Sequence, residues 1–137
     1  MTQEQIATKL SEKNIRPSVQ RMAVYEFLVN NPIHPTADTI YTALSLSMPT
    51  LSRTTVYNTL RQLADCGLIQ TVPIEDGEMR YDAETSNHLH FKCTKCGKIY
   101  DIFRTVDFPE GVIPEGFQET KIQTNIWGIC KDCSNQG

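Results

Sequence analysis

Two C-x-x-C pairs, Cys93/Cys96 and Cys130/Cys133, stand thirty-three residues apart and limit what this chain can fold into. The chain starts MTQEQIATKL, which is polar rather than signal-like. In that setting four cysteines so spaced read as metal ligands before they read as disulfides. Two such knuckles build a tetrahedral thiolate cage for Zn²⁺ with every position filled, so the site is closed and structural. It ties the end of the chain back to its middle and contributes directly to folding. A redox dithiol or two unrelated thiol pairs is the competing reading. The fifth cysteine, Cys66, falls at the end of a helical pattern and reads as a small buried hydrophobe.

A second cluster uses imidazole and carboxylate: Asp82, His88, His90 and Asp101. In an extended segment, His88, His90 and Lys92 point to one side and Leu89, Phe91 and Cys93 to the other. The histidines therefore share a face that Cys93 does not, which predicts two separate metal sites on opposite sides of one strand. Two histidines with carboxylates suit Fe²⁺ or Mn²⁺, and suit four-coordinate Zn²⁺ less well. A histidine alone is more often a satisfied core or surface residue. The remaining histidine, His34, sits in the rigid link Pro32-Ile33-His34-Pro35.

No run approaches the roughly 20 apolar residues needed to cross a bilayer, so the expectation is a cytoplasmic protein with no membrane partner. The net charge of −3 is unevenly spread. Residues 1–74 carry six Lys/Arg against five Asp/Glu, and residues 75–137 seven against eleven. A phosphate-bearing partner therefore belongs with the first half.

That half reads as four helices. Thr2 and Gln5 form a capping box ahead of Ile6 and Leu10, in a helix ending near Lys13. Ser18 caps a second helix with apolar Val19, Met22, Ala23 and Leu28, ending near Asn30-Asn31-Pro32, and Thr36 a third with Ala37, Ile40, Tyr41 and Leu44. Ser52 starts a fourth with Val56, Leu60 and Leu63 inward, stopped by Gly67. Outward on the fourth go Thr54, Thr55, Tyr57, Asn58, Arg61 and Gln62, side chains that can meet bases or phosphates. Extended runs at 68–74 and 79–82 flank the hairpin turn Glu75-Asp76-Gly77-Glu78. Helices followed by such a hairpin predict a winged helix-turn-helix whose fourth helix reads the major groove. A helical domain with a merely solvated polar helix is the bland alternative.

Past Asp82 helix periodicity stops. Runs at 88–92, 97–103 and 117–127 read as strands, and 107–116, with two prolines and two glycines, as a loop. The predicted fold is α+β, with a winged-helix domain over 1–83 and a small β-rich domain with the Cys₄ site over 84–137.

These residues resemble the ferric-uptake-regulator (Fur) family of metal-dependent bacterial repressors. The matching pieces are NIRPSVQR, HPTADTIYTAL, SRTTVYNTLRQLADCGLI, RYD, SNHLHFKCTKCGKIYDI and WGICKDC, in order over nearly the whole chain. The resemblance implies a homodimer on double-stranded operator DNA, formed through the β-rich domain, with a structural Zn²⁺ and a regulatory metal. Arg16 and Arg21, in the first matching piece, join Thr54, Thr55, Tyr57, Asn58 and Arg61 as candidate DNA contacts. Within the family the chain is most similar to the peroxide-sensing repressors, which implies that His34, Asp82, His88, His90 and Asp101 hold Fe²⁺ or Mn²⁺. By that likeness Fe²⁺ reacts with H₂O₂, His34 or His88 is oxidised and repression lifts. Iron-sensing relatives tend to have glutamate where Asp101 stands, and an iron-level sensor without peroxide chemistry is the alternative. Relatives also tend to have a long dimer-forming helix where residues 104–116 are short and proline-broken.

Two readings lie outside that class. A non-haem iron enzyme could use two histidines and a carboxylate, but five protein ligands leave little room for substrate and no nucleotide loop or nucleophile motif accompanies them. A zinc-binding interaction module without a DNA role would leave Tyr57 and Arg61 without work.

Overall fold

The computed structural model describes all residues except 76–77, 86–88, 105–106, 121 and 136–137. Its described helices begin with four side-chain caps. In α1 (Gln3–Glu12) the Thr2 hydroxyl accepts from the Gln5 N–H while Gln5 Oε1 accepts from the Thr2 N–H. Ser18, Thr36 and Ser52 likewise accept from the residue three positions on, opening α2 (Val19–Asn30), α3 (Ala37–Ser45) and α4 (Arg53–Asp65). Each cap satisfies a first-turn N–H that the helix itself leaves without a partner. After α4, Gly67 takes φ +84°, a left-handed stop that a side chain would strain.

The chain divides into two units, Met1–Thr85 and Ser86–Gly137. In the first, Ile6, Leu10, Val24, Leu28, Ile40, Val56, Leu60, Leu63 and Ile69 interlock in one core. The buried face of α2 is Val24, Tyr25 and Leu28. Val19, also apolar and on the first turn of that helix, is 77% exposed. That helix is apolar nearly all round, so its neighbours, not its periodicity, choose the face. Strands β1 (Gln70–Glu75) and β2 (Glu78–Asp82) pair antiparallel after α4, with the register shifting between Val72 and Glu75. Pro73 lies within that irregular stretch, where a missing N–H costs no ladder bond. The Asp76-Gly77 turn lies outside the described residues.

The second unit is a three-stranded sheet, β4-β3-β5, with β3 (Leu89–Cys93) central. It pairs antiparallel with β4 (Ile99–Ile102) and parallel with β5 (Asn125–Gly128). The run 117–127 read as one strand is a strand only from Asn125 onward, because β3 offers just five residues to pair against. A one-turn helix α5 (Lys131–Ser134) follows Cys130. The 107–116 loop has neither helix nor strand. The architecture is therefore α+β, a helical unit with a two-stranded hairpin and a β-rich unit. No helix among the described residues is long and apolar enough to cross a membrane.

Candidate metal centres and reader helix

Three local devices bring the cysteines of the second unit together. Cys93 ends β3, and the knuckle after it turns at Gly97, where φ is +77° and the N–H donates to the Cys93 carbonyl at 2.9 Å. The β3–β5 register sets Cys93 opposite Gly128, two residues before Cys130. The turn of α5 then carries Cys133. All four sulfurs lie within 4.8 Å of one another. Cys96 Sγ and Cys130 Sγ are 3.9 Å apart, far beyond a disulfide of about 2.05 Å. A tetrahedron with Zn–S bonds of about 2.3 Å has an edge of about 3.8 Å, so the donor set and its size fit Zn²⁺.

The thiols also share charge unevenly. The backbone N–H groups of Cys96 and Cys130 each donate to Cys93 Sγ at 3.4 Å. These bonds, Cys96 first, bring the Cys93 thiol down to about 6. Cys130 is also lowered, chiefly by the Cys133 backbone N–H and then by the Tyr100 hydroxyl. Tyr100 is pushed up to about 12 by donating to Cys130. Cys133 is pushed up to about 12, mainly through its bond to Cys130, and so keeps its proton. Four sulfurs this close cannot all ionise without a cation among them, and a dication relieves that conflict.

The histidines and aspartates form one pair in each unit. In the first, His34 and Asp82 are 2% and 3% exposed, with His34 Nε2 at 3.4 Å from Asp82 Oδ2. Asp82 ends β2, and its Oδ1 accepts from the Glu84 N–H at 2.9 Å. His34 has φ +56° although it is not glycine and precedes a proline. That conformation costs on the order of 1 kcal/mol or more. The structure around it holds it there: Arg80 Nη1 donates to the His34 carbonyl at 3.1 Å, and the Tyr81 N–H donates to the Pro35 carbonyl. Strain kept at a buried histidine is a mark of a functional position.

In the second unit, His90 stands directly opposite Asp101 in the β3–β4 register. Its Nε2 is 3.4 Å from Asp101 Oδ1, and the ring is 1% exposed. His90 and Cys93 lie three residues apart on β3 and so face opposite sides of the sheet. Each His–Asp spacing is long for a charge-assisted hydrogen bond. It matches two ligands on one ion at bond lengths of about 2.1 Å. His88 lies outside the described residues.

Along α4, Thr54, Tyr57, Asn58 and Arg61 are exposed. Arg61 Nη2 donates to Asn58 Oδ1 at 3.1 Å, which lines the two up on that face. Thr55 is half-buried, and its hydroxyl shares a 2.9 Å hydrogen bond with Ser52 Oγ, so it serves the helix cap. Arg16 is exposed; Arg21 is half-buried and donates to the Arg16 carbonyl. Cys66 is half-buried, its thiol donating to the Leu63 carbonyl. Two residues escaped sequence reasoning. Arg80 holds His34 by a backbone contact that no spacing announces. Arg53, beside the α4 cap, pairs with Asp38 across helices.

The comparisons with known proteins agree with this arrangement. The family model described as "Ferric uptake regulator family" matches residues 12–125. The chain is 38% identical over 136 residues to the peroxide-responsive repressor PerR of Staphylococcus saprophyticus, covering 97% of this chain and 92% of that one. It is 39% identical over 130 residues to the peroxide operon regulator of Bacillus subtilis, covering 93% and 90%. Among solved structures, PerR from Streptococcus pyogenes matches with TM-score 0.55 at 33% identity, over 96% of this chain and 92% of that one. The Helicobacter pylori ferric uptake regulator Fur matches with TM-score 0.72 at 21% identity, over 98% and 95%, a likeness of fold. The family model and these relatives match over nearly the full length, and the chain belongs to the ferric uptake regulator family.

Proposed function

We propose that this chain is a metal-dependent, peroxide-responsive transcriptional repressor, with a winged-helix DNA-binding domain over 1–83 and a metal-binding dimerisation domain over 84–137. The observation that carries the reading is its likeness, at 38–39% identity over nearly its whole length, to peroxide regulators of two other bacteria. The buried His34–Asp82 and His90–Asp101 pairs supply the matching ligand types.

Cys93, Cys96, Cys130 and Cys133 hold Zn²⁺ as a structural staple. His34, Asp82, His88, His90 and Asp101 hold Fe²⁺ or Mn²⁺ as the regulatory ion. When bound, Fe²⁺ supplies the redox chemistry that turns H₂O₂ into an oxidant of a neighbouring imidazole, and Mn²⁺ does not. The chain's own part is to present His34 and His88 as the rings that take up oxygen. An oxidised ring is a poorer ligand, the metal-bound form loses population, and repression lifts. Nothing in this cycle requires turnover, so the protein acts as a regulator rather than an enzyme.

The partners are operator DNA and a second copy of the chain, in the cytoplasm where the DNA is. Phe103, Phe117 and Trp127 of the second unit are all more than half exposed, as a dimer-forming surface requires. In the dimer two α4 helices meet half-sites about 34–36 Å apart, one turn of DNA. Thr54, Thr55, Tyr57, Asn58 and Arg61, with Arg16 and Arg21, make the contacts.

The test is operator affinity with Mn²⁺, Fe²⁺ or Zn²⁺, before and after peroxide, with His34→Ala as control and mass spectrometry of each product. Peroxide should release only the Fe²⁺ form and add one oxygen atom to a peptide containing His34 or His88. Metal-dependent binding with no such adduct would make the protein an iron-level sensor.

A further inference from the structure

We propose that Arg53 reads a guanine at the leading end of α4, and that Asp38 and Tyr41 of α3 hold its guanidinium ready for that contact. The inference rests on the DNA-binding reading above.

Arg53 is the first residue of α4, directly after the Ser52 cap. Its Nη1 pairs with Asp38 Oδ1, and its guanidinium carbon lies 4.5 Å from the centre of the Tyr41 ring. Asp38 and Tyr41 are three residues apart on α3 and so share one face of that helix. Ala37 and Ile40, buried in the core, fix how α3 is turned. The carboxylate restrains the guanidinium at one edge and the ring covers one of its faces. An arginine so held has lost much of its rotamer freedom before any ligand arrives.

Stability does not explain the arrangement. The Arg53 and Asp38 side chains are 57% and 59% exposed, and ion pairs that open to water add little. Nor does a plain phosphate contact. A backbone contact draws on positive charge, and a carboxylate beside the arginine cancels part of that charge. Reading a base draws on direction instead. A guanidinium has five N–H donors; Asp38 can take two and leave others aligned for the O6 and N7 acceptors of guanine in the major groove. An oriented fork with damped net charge suits a base edge better than a phosphate.

The experiment selects bound duplexes from a random DNA pool with full-length, Mn²⁺-loaded protein, comparing wild type with Arg53→Ala, Arg53→Lys and Asp38→Asn. Unchanged thermal melting confirms that each variant is folded. The proposal expects a guanine in each half-site of the wild-type motif. Arg53→Ala and Arg53→Lys should both lose that preference and keep the other positions. Affinity for the best site should fall about 5- to 150-fold in Arg53→Ala, the worth of one bidentate base contact. Asp38→Asn should relax the same position while tightening binding to random DNA. An Arg53→Ala motif identical to wild type overturns the proposal. So does uniform weakening across all sequences with the salt slope reduced by about 1, the signature of a phosphate contact. A wild-type protein that enriches no sequence would instead remove the repressor reading, and this inference with it.

Discussion

Stripping zinc from the Cys₄ cage should unfold the second unit and leave the first standing. The unit runs only from Ser86 to Gly137, and domains this short usually need a staple. Its buried apolar side chains among the described residues are Ile99 and three of the cysteines themselves, with Tyr100 packed against the sulfurs. Burying one isoleucine is worth about 1.5–3 kcal/mol. Ordering the backbone costs about 1–2 kcal/mol per residue, so the apolar inventory falls far short. Structural Zn²⁺ contributes about 10–16 kcal/mol in small metal-folded peptides, several times what that one isoleucine supplies. The first unit, by contrast, has a buried cluster of thirteen side chains that uses no cysteine. Hydrogen exchange read by mass spectrometry, before and after chelation under reducing conditions, separates the two. Peptides over β3, β4 and β5 should lose protection while those over α2 and α4 keep it, and added Zn²⁺ should reverse the change. Protection of β3–β5 surviving complete zinc loss would mean that the sheet stands without the metal.

Other perturbations should have narrower effects. His34→Ala should leave thermal melting of the metal-free protein nearly unchanged while weakening Mn²⁺ binding by at least the 10- to 100-fold typical of lost supporting contacts, as calorimetry can measure. Ser52→Ala removes the α4 cap and should cost about 1 kcal/mol, lowering the melting temperature and weakening DNA binding without altering metal affinity. The zinc site should also be acid-labile in a defined window. Cys93 is lowered from 9.0 to about 6, so its contribution is full above about pH 9, declines as pH falls and is gone below about 6. Chelator titrations, corrected for the chelator's own protonation, should show zinc leaving more easily across that range; a flat midpoint contradicts the assignment.

What could be read from sequence was what short-range chemistry decides. All four caps, at Thr2, Ser18, Thr36 and Ser52, were legible because each is settled within three residues of chain. The inward Val56, Leu60 and Leu63 of α4 were legible because that helix is polar on its other side. The cysteine cluster was legible because paired knuckles have few other uses. Features set by distant neighbours were not. Which side of α2 is buried depends on the helices around it, so its apolar residues alone do not pick out Val24, Tyr25 and Leu28. The length of β5 depends on how much of β3 is left to pair. The left-handed backbone at His34 depends on Arg80, forty-six residues away. The Asp38–Arg53 pair forms only once α3 and α4 have packed.

The short strand β3 shows why a staple that senses nothing can still matter to sensing. Its alternation sends Cys93 into the sulfur cage and His90 to the opposite face, where the antiparallel register sets it across from Asp101. Of the strand's three neighbours in this arrangement, the cage holds one end, β4 carries Asp101, and β5 precedes Cys130. Position along a strand of five residues cannot drift by one without exchanging its faces. A slip would turn His90 toward the sulfurs and Cys93 away from them. The cage therefore pins the register that keeps His90 beside Asp101. Zinc loss should then abolish binding of the regulatory ion as well, although no cysteine touches it. A protein that kept full Mn²⁺ affinity after losing its zinc would show that the His90–Asp101 pair holds its register without the cage.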